Sequence, residues 1–201
     1  MLIRDSVPHA TKGLALMKRS RTHALGILLA ATVLTLTACG GDQQSDAAAA
    51  RPFNQTDVNF VQKMLPHHMQ ALRTSQIVIE RGADPDVKKI ARGIVQTQER
   101  EIAEMQGFLR RFKAPRKPVP ADQQAVWNKN VADEAAADSP ARLDVIFLLN
   151  MIPHHSAAVP MAQMEIEKGA FGPARRLAQQ IKTTQRREIM QMKDMVLQKT
   201  S

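Results

Sequence analysis

The sequence contains one five-residue word twice, Met64-Leu65-Pro66-His67-His68 and Met151-Ile152-Pro153-His154-His155, at a spacing of 87 positions. The likeness extends well beyond the word. Sliding residues 57–109 onto 144–196 without a gap pairs Asp57 with Asp144, Phe60 with Phe147, Gly82 with Gly169, Gln98 with Gln185, Glu101 with Glu188 and Met105 with Met192, and gives 21 identities in 53 positions. An ungapped match of that density marks a tandem duplication. Any chemistry held by one copy is then held twice, or shared across a pseudo-two-fold axis.

Each copy reads as two helices. From Phe60 through Met64, His68 and Ala71 to Val78, buried-type residues recur at three- and four-residue steps, with Thr56-Asp57 as a plausible N-cap. Gly82 ends this run, and Asp84-Pro85-Asp86 opens the next with a proline in its first turn and acids beside it. Val87, Ile90, Ala91, Ile94, Glu101, Met105 and Phe108 share the second stripe. The second copy repeats the plan: a helix from Asp144 to Lys168, a turn at 169–173, then a helix from Ala174 to about Gln198. The two hairpins (57–112 and 144–198) predict an all-α, ferritin-like four-helix bundle with pseudo-two-fold symmetry, a single domain over 53–198. The long crossover, 113–143, begins with the stiff, basic run K-A-P-R-K-P-V-P and has room for a short surface helix around Val126 and Trp127.

The N-terminus predicts export. Lys18, Arg19 and Arg21 precede an apolar run, Leu25 to Ala38, too short to span a membrane, that ends Leu36-Thr37-Ala38-Cys39. That ending resembles a lipobox, so residues 1–39 read as a lipoprotein signal peptide, with Cys39 the lipidated residue and 40–52 a flexible tether; Met1 and Met17 are both possible starts. The setting is the cell envelope, on the periplasmic side of a membrane or at the cell surface.

Cys39 is the only cysteine, so the exported domain has neither disulfide nor thiolate. His9 and His23 belong to the leader, which leaves four histidines, all in the two pairs; nine of the 11 methionines remain. Without the leader the charge falls from +9 to +5 (28 − 5 Lys+Arg, 19 − 1 Asp+Glu), a modest surplus compatible with anionic lipid. With no aromatic-plus-basic patch, nucleic acid is not an expected partner.

His68 and Gln98 lie equally far from a turn near residue 83, and Met64 and Glu101 nearly so. His, Gln and Glu thus interrupt both apolar stripes at one level, and His155, Gln185 and Glu188 repeat this. Buried polar groups without partners cost a few kcal/mol each, so a shared polar site near the bundle centre is expected. Pro66 and Pro153 stand just before the pairs, where proline in a helix interior costs about 3 kcal/mol and kinks it; Pro160 adds a second break in the second copy. The alternative is that the helices begin at Pro66 and Pro153, against which Phe60 and Met64 are in phase with Ala71.

Adjacent helical residues diverge by about 100°, so one imidazole of each pair faces the centre and the other a helix–helix groove. Met64 beside His68, with Met105 across the hairpin, offers thioether and imidazole donors, a combination that selects Cu(I) or Ag(I); zinc is a weaker possibility. Two plainer readings stand beside this. The methionines can be core filler, and the histidines can be core side chains hydrogen-bonded to Glu101 and Glu188.

The pattern D-x-x-F-x-x-x-M-x-P-H-H-x-x-A, followed a hairpin later by Q-x-x-E-I-x-x-M, resembles the bacterial domain-of-unknown-function family 305 over residues 53–198. The resemblance implies a ferritin-like, typically exported bundle, some members of which handle copper or silver. It implies metal ligation by Met64, His67, His68 and Met105 in one copy and Met151, His154, His155 and Met192 in the other; Gln98, Glu101, Gln185 and Glu188, which interrupt the stripes at the same level, are candidates for the layer behind the ligands. This chain departs from the family habit in two ways: Thr74-Ser75 stands where the second copy keeps Met161-Ala162, and its linker has no Met or His.

Three other functions compete. A di-iron oxidase needs Glu-x-x-His on two helices, and no Glu stands three before any His, although Asp144 and Glu101 could supply oxygens. An acid–base enzyme lacks a nucleophile or oxyanion feature, so no enzymatic activity is expected. A non-enzymatic interaction lipoprotein would use the His pairs as a pH-sensitive core. Homo-oligomerisation and a copper-transfer partner are left open.

Overall fold

Asn54 opens the first helix. Its side chain accepts from the amides of Thr56 (2.8 Å) and Asp57 (3.2 Å), and its own amide donates to Asp57 Oδ2 (2.5 Å). This reciprocal capping box starts the helix ahead of the expected Thr56-Asp57 cap and makes Asp57 the acid of its first turn. In the computed structural model, which describes residues 52–200, α1 spans Gln55–Arg81, α2 Pro85–Phe112, α3 Ala121–Ala135, α4 Pro140–Lys168 and α5 Gly172–Thr200, with no strand among the described residues. The leader, Cys39 and the tether up to residue 51 lie outside the described residues.

Asp84 caps α2 as expected, accepting from the amides of Asp86 (2.7 Å) and Val87 (3.3 Å). In the second copy α4 starts before Asp144, because Ser139 accepts from the Arg142 amide (3.3 Å) and Pro140 suits a first helical turn. Both α1 and α4 run through their internal prolines. The helices therefore do not begin at Pro66 or Pro153, and Pro160 does not break α4. Each proline withholds one backbone donor, a loss that packing on neighbouring helices outweighs. Although α4 is long and apolar enough to cross a bilayer, it packs against α1, α3 and α5.

Within each hairpin the helices pack along their length, α1 on α2 and α4 on α5. The hairpins join through α1 and α4, which run antiparallel, and the register of that join is set by two buried aspartates. Asp57, at the start of α1, accepts from the amides of Ala170 (3.2 Å) and Phe171 (2.8 Å) in the α4–α5 turn. Asp144, near the start of α4, accepts from Ala83 (3.1 Å) and Asp84 (2.8 Å) in the α1–α2 turn. The four amides are equivalent under the repeat, so each hairpin caps the turn of the other.

The apolar core divides into two clusters that are images of one another. One gathers Phe60, Val61, Met64, Met105, Ala158, Leu177, Ala178 and Ile181; the other gathers Phe147, Leu148, Met151, Met192, Ala71, Ile90, Ala91 and Ile94. Each takes residues from both copies, so neither hairpin has a core alone. Between them lies the buried polar layer of His67, His68, Gln98, Glu101, His154, His155, Gln185 and Glu188. Helix α3, in the crossover, lies against α1 and α4.

The repeat is broken where Glu165 replaces the equivalent of Val78. Glu165 is wholly buried; burial first, then its hydrogen bond with and the charge of Asp57, push its carboxyl up to about 9. Burial also works against the charged form of Asp57, but the Asn54 amide, the Glu165 side chain and the Phe171 and Ala170 amides outweigh it and hold Asp57 below the usual carboxylate value. The pair therefore shares one proton.

Replacing Asp144 with Ala strands the Ala83 and Asp84 amides and is expected to cost about 2 kcal/mol in urea denaturation with helicity retained. Gly82→Ala should destabilise through the same contact, since a Cβ there meets Asp144 Oδ1 and lies 2.7 Å from the Val78 carbonyl. An unchanged midpoint in both variants would show that the crossed caps do not hold the hairpins together. Glu165 gives a second expectation. The fold keeps its proton between the ordinary value of 4.5 and about 9, whereas the unfolded chain releases it, so stability falls as pH rises through that window. The melting temperature should drop from neutrality toward pH 9 in the parent and stay level in Glu165→Gln.

Candidate metal centre

The two histidines of each pair have different jobs. His68 Nε2 donates to Glu101 Oε2 at 2.8 Å and His155 Nε2 to Glu188 Oε2 at 2.8 Å, each spanning its own hairpin. His67 and His154 face each other across the α1–α4 seam, rings stacked at 3.7 Å between centroids and 28° between planes. His154 Nε2 donates to the His67 carbonyl (3.2 Å). Within a pair the ring centroids are 6.3 Å (His67–His68) and 6.0 Å (His154–His155) apart, as the helical angle between neighbours requires. One imidazole thus faces the bundle centre and the other the helix–helix groove.

Trp127 of α3 closes the seam from outside, its ring edge-on to His67 at 6.1 Å and 6.5 Å from His154. The expected surface helix therefore does more than cover: Trp127 and Glu134, one heptad apart on α3, are both buried. Glu134 accepts from Asn150 Nδ2 (3.3 Å), and burial pushes its carboxyl up to about 7. The signal that could have pointed to this was the lone Trp seven residues before a Glu on one helix face. Asp57 and Asp144, once considered as a cap and an oxygen donor, serve as cross-hairpin acceptors.

Burial, then the neighbouring His68 and His155, lower the His67 pKa to about 3. Burial and the other three imidazoles drive His154 well below its ordinary value. Stacked rings in a dry seam cannot both carry charge, so this pair is neutral. Neutral imidazole is the form that ligates metals.

The layer carries more polar atoms than its partners satisfy. Nδ1 of His67, His68, His154 and His155 has no hydrogen-bond partner, nor have the side-chain oxygen and nitrogen of Gln98 and Gln185. Glu101 and Glu188 hold the Nε2 side of His68 and His155 and leave Nδ1 of each without a hydrogen-bond partner, the arrangement that orients metal-ligating histidines. Met64, Met105, Met151 and Met192 are all buried, the first two in one apolar cluster and the last two in the other. The candidate ligands thus divide between the apolar clusters, which hold the thioethers, and the polar layer, which holds the imidazoles. Among the described residues no three His, Asp or Glu side chains converge on one point.

The family model "Domain of unknown function (DUF305)" matches residues 57–196. The chain belongs to the DUF305 family. Solved DUF305 structures share its fold: a fragment from Deinococcus radiodurans is 30% identical at TM-score 0.67, covering 73% of this chain and 99% of that one. A DUF305 protein from Streptomyces coelicolor, inferred to be secreted, is 28% identical at TM-score 0.64, covering 73% and 94%. CopM in its Cu(I)-bound form is 32% identical at TM-score 0.60, covering 72% and 98%; it has also been solved with Cu(II) and with Ag. The uncharacterised protein L153 of Acanthamoeba polyphaga mimivirus is 36% identical over 53 residues, 26% of this chain, which spans only 35% of that relative's length.

In metal-free protein the ring-proton NMR shifts of His67 and His154 should stay constant as pH falls through 6.5, the ordinary imidazole value. A midpoint near that value at either residue would mean that the seam is wet. The sign for stability follows: below about 6.5 the unfolded chain takes up protons that the fold refuses, so stability declines with further acidification.

Proposed function

We propose that this DUF305 chain is an exported, lipid-anchored protein that binds Cu(I) or Ag(I) as cargo, for sequestration, chaperoning or resistance, and is not an enzyme. The observation that carries the reading is the set of four buried imidazoles with unpartnered Nδ1 atoms, two of them held in the ligating orientation by buried glutamates. His67, His68, His154 and His155 would supply nitrogen, and Met64, Met105, Met151 and Met192 sulfur. Soft donors without a thiol suit Cu(I) and Ag(I) in an oxidising compartment. The flanking apolar clusters exclude the water that a harder, more strongly hydrated ion would keep. The Cu(I)-, Cu(II)- and Ag-bound forms of CopM support the choice of ion; the lipobox-like Leu36–Cys39 and the secretion inferred for the Streptomyces relative support export.

The second reading, an envelope interaction lipoprotein with structural histidines, draws on the same His–Glu bonds, which satisfy one nitrogen of His68 and of His155. Titrating residues 40–201 anaerobically with Cu(I), Ag(I) and Zn(II) against competing chelators separates the two. The expected result is tight binding of one or two soft ions per chain, lost when all four histidines become Ala while helicity persists. Met64→Leu or Met151→Leu should weaken Cu(I) more than Zn(II). Glu101→Gln, which leaves every ligand in place, should lower affinity by about tenfold or more. Retained Cu(I) affinity in the four-histidine variant would overturn the site, and no binding by the parent would favour the second reading.

A further inference from the structure

The two ends of the bundle differ in charge. The antiparallel packing brings the start of α1, the end of α2, the end of α4 and the start of α5 to one end, where residue 52 joins the bundle. Three contacts tie that surface together: Phe53 lies on Phe112 with centroids 4.4 Å apart, Gln62 Nε2 donates to the Pro115 carbonyl (2.8 Å), and the Arg111 guanidinium lies over the Phe171 ring at 5.3 Å. Arg110 and Arg111 in the last turn of α2, Lys113 at its C-cap and Arg116 and Lys117 in the connector are all exposed there. The first turn of α5 adds Arg175 and Arg176.

Few acids balance them. Asp57 and Glu165 at this end are buried and share a proton; Glu104, facing Arg176, Glu167 and, in the first turn of α3, Asp122 are exposed. At the opposite end bases and acids alternate, with Lys199 paired to Asp84 and Arg142 to Asp138. Among the described residues every surface ion pair lies there or on α3.

We propose that this basic end docks on an anionic lipid surface. The inference rests on the anchoring part of the reading above, which places an acyl group at Cys39, 13 residues before residue 52 (52 − 39). Even fully extended, that segment reaches at most about 45 Å, so a Cys39 anchor holds the basic end within that distance of the bilayer. Clustered Lys and Arg beside a membrane attract acidic headgroups over about one Debye length. They give the protein a second membrane signal beside the acyl chain and leave the opposite end, with the α1–α2 turn, toward solvent.

The test uses residues 52–201 without lipid. These carry the whole bundle, as does the crystallised Deinococcus fragment, of which this chain covers 99%. Vesicles of phosphatidylcholine alone are compared with vesicles that also contain phosphatidylglycerol, in co-sedimentation at low and high salt. We expect binding only to the anionic vesicles, released by salt. Reversing Arg110, Arg116 and Lys117 to Glu should weaken it by more than about tenfold, since each lost cation is worth about fivefold. Reversing the exposed Lys89, Arg92 and Lys193 at the other end, an equal change in net charge, should leave it nearly unaltered. Equal loss in the two variants, no preference for anionic vesicles, or displacement by equimolar duplex DNA would overturn the proposal. Because residues 52–201 do not include Cys39, these results are independent of whether it is lipidated, which the mass of the full-length protein's N-terminal peptide decides separately.

Discussion

The antiparallel crossing of α1 and α4, fixed by Asp57 and Asp144, is the constraint on which the rest of this structure depends. Each aspartate is fully buried and accepts two turn amides from the other hairpin. A buried carboxylate without donors is prohibitively costly, and a turn amide without an acceptor is costly too. The two hairpins therefore have one register in which all four turn amides find an acceptor. In that register His67 meets His154, the two apolar clusters form from both copies, and the polar layer lies between them.

That layer is where the core departs most from apolar packing. An all-apolar centre would pack without unpartnered imidazole and amide groups, and large polar deficits in a core are uncommon in native proteins. Glu101 and Glu188 relieve one nitrogen of His68 and of His155 and in doing so aim the other. The stacked pair is kept neutral by burial. Both devices leave ring nitrogens without hydrogen-bond partners and shielded from water. The crossed caps at the ends of the bundle offset part of the cost of its centre.

The duplication is not left symmetric. Glu165 replaces the valine of the first copy and adds a proton-sharing partner to Asp57 only. The crossover between the copies climbs one face of α1 and α4, and through Trp127 it closes one side of the seam. Basic residues gather at the end where the chain enters, whereas charges at the other end pair off. Two equivalent hairpins thus make a molecule with a covered seam and two electrostatically distinct ends.

The sequence by itself determined the duplication, the helix periodicity, the turns at Gly82 and Gly169 and the level at which His, Gln and Glu interrupt the stripes, because each is a local or periodic property of side-chain type. Its repeated word singled out the His pairs, and the resemblance to family 305 that the word carries implied the eight candidate ligands as a set. It misplaced the start of α1, since Asn54 and Asp57 form a cap whose second member also serves another hairpin, and it allowed Pro160 a break that the packing of α4 removes. Only the tertiary structure decided which imidazole pairs with a glutamate and which stacks on its own repeat, that Trp127 covers the seam, and that Asp57 and Asp144 lock opposite turns. The physical reason is that these contacts join residues separated by up to 114 positions, and their geometry depends on how two helices cross, which no helical period encodes.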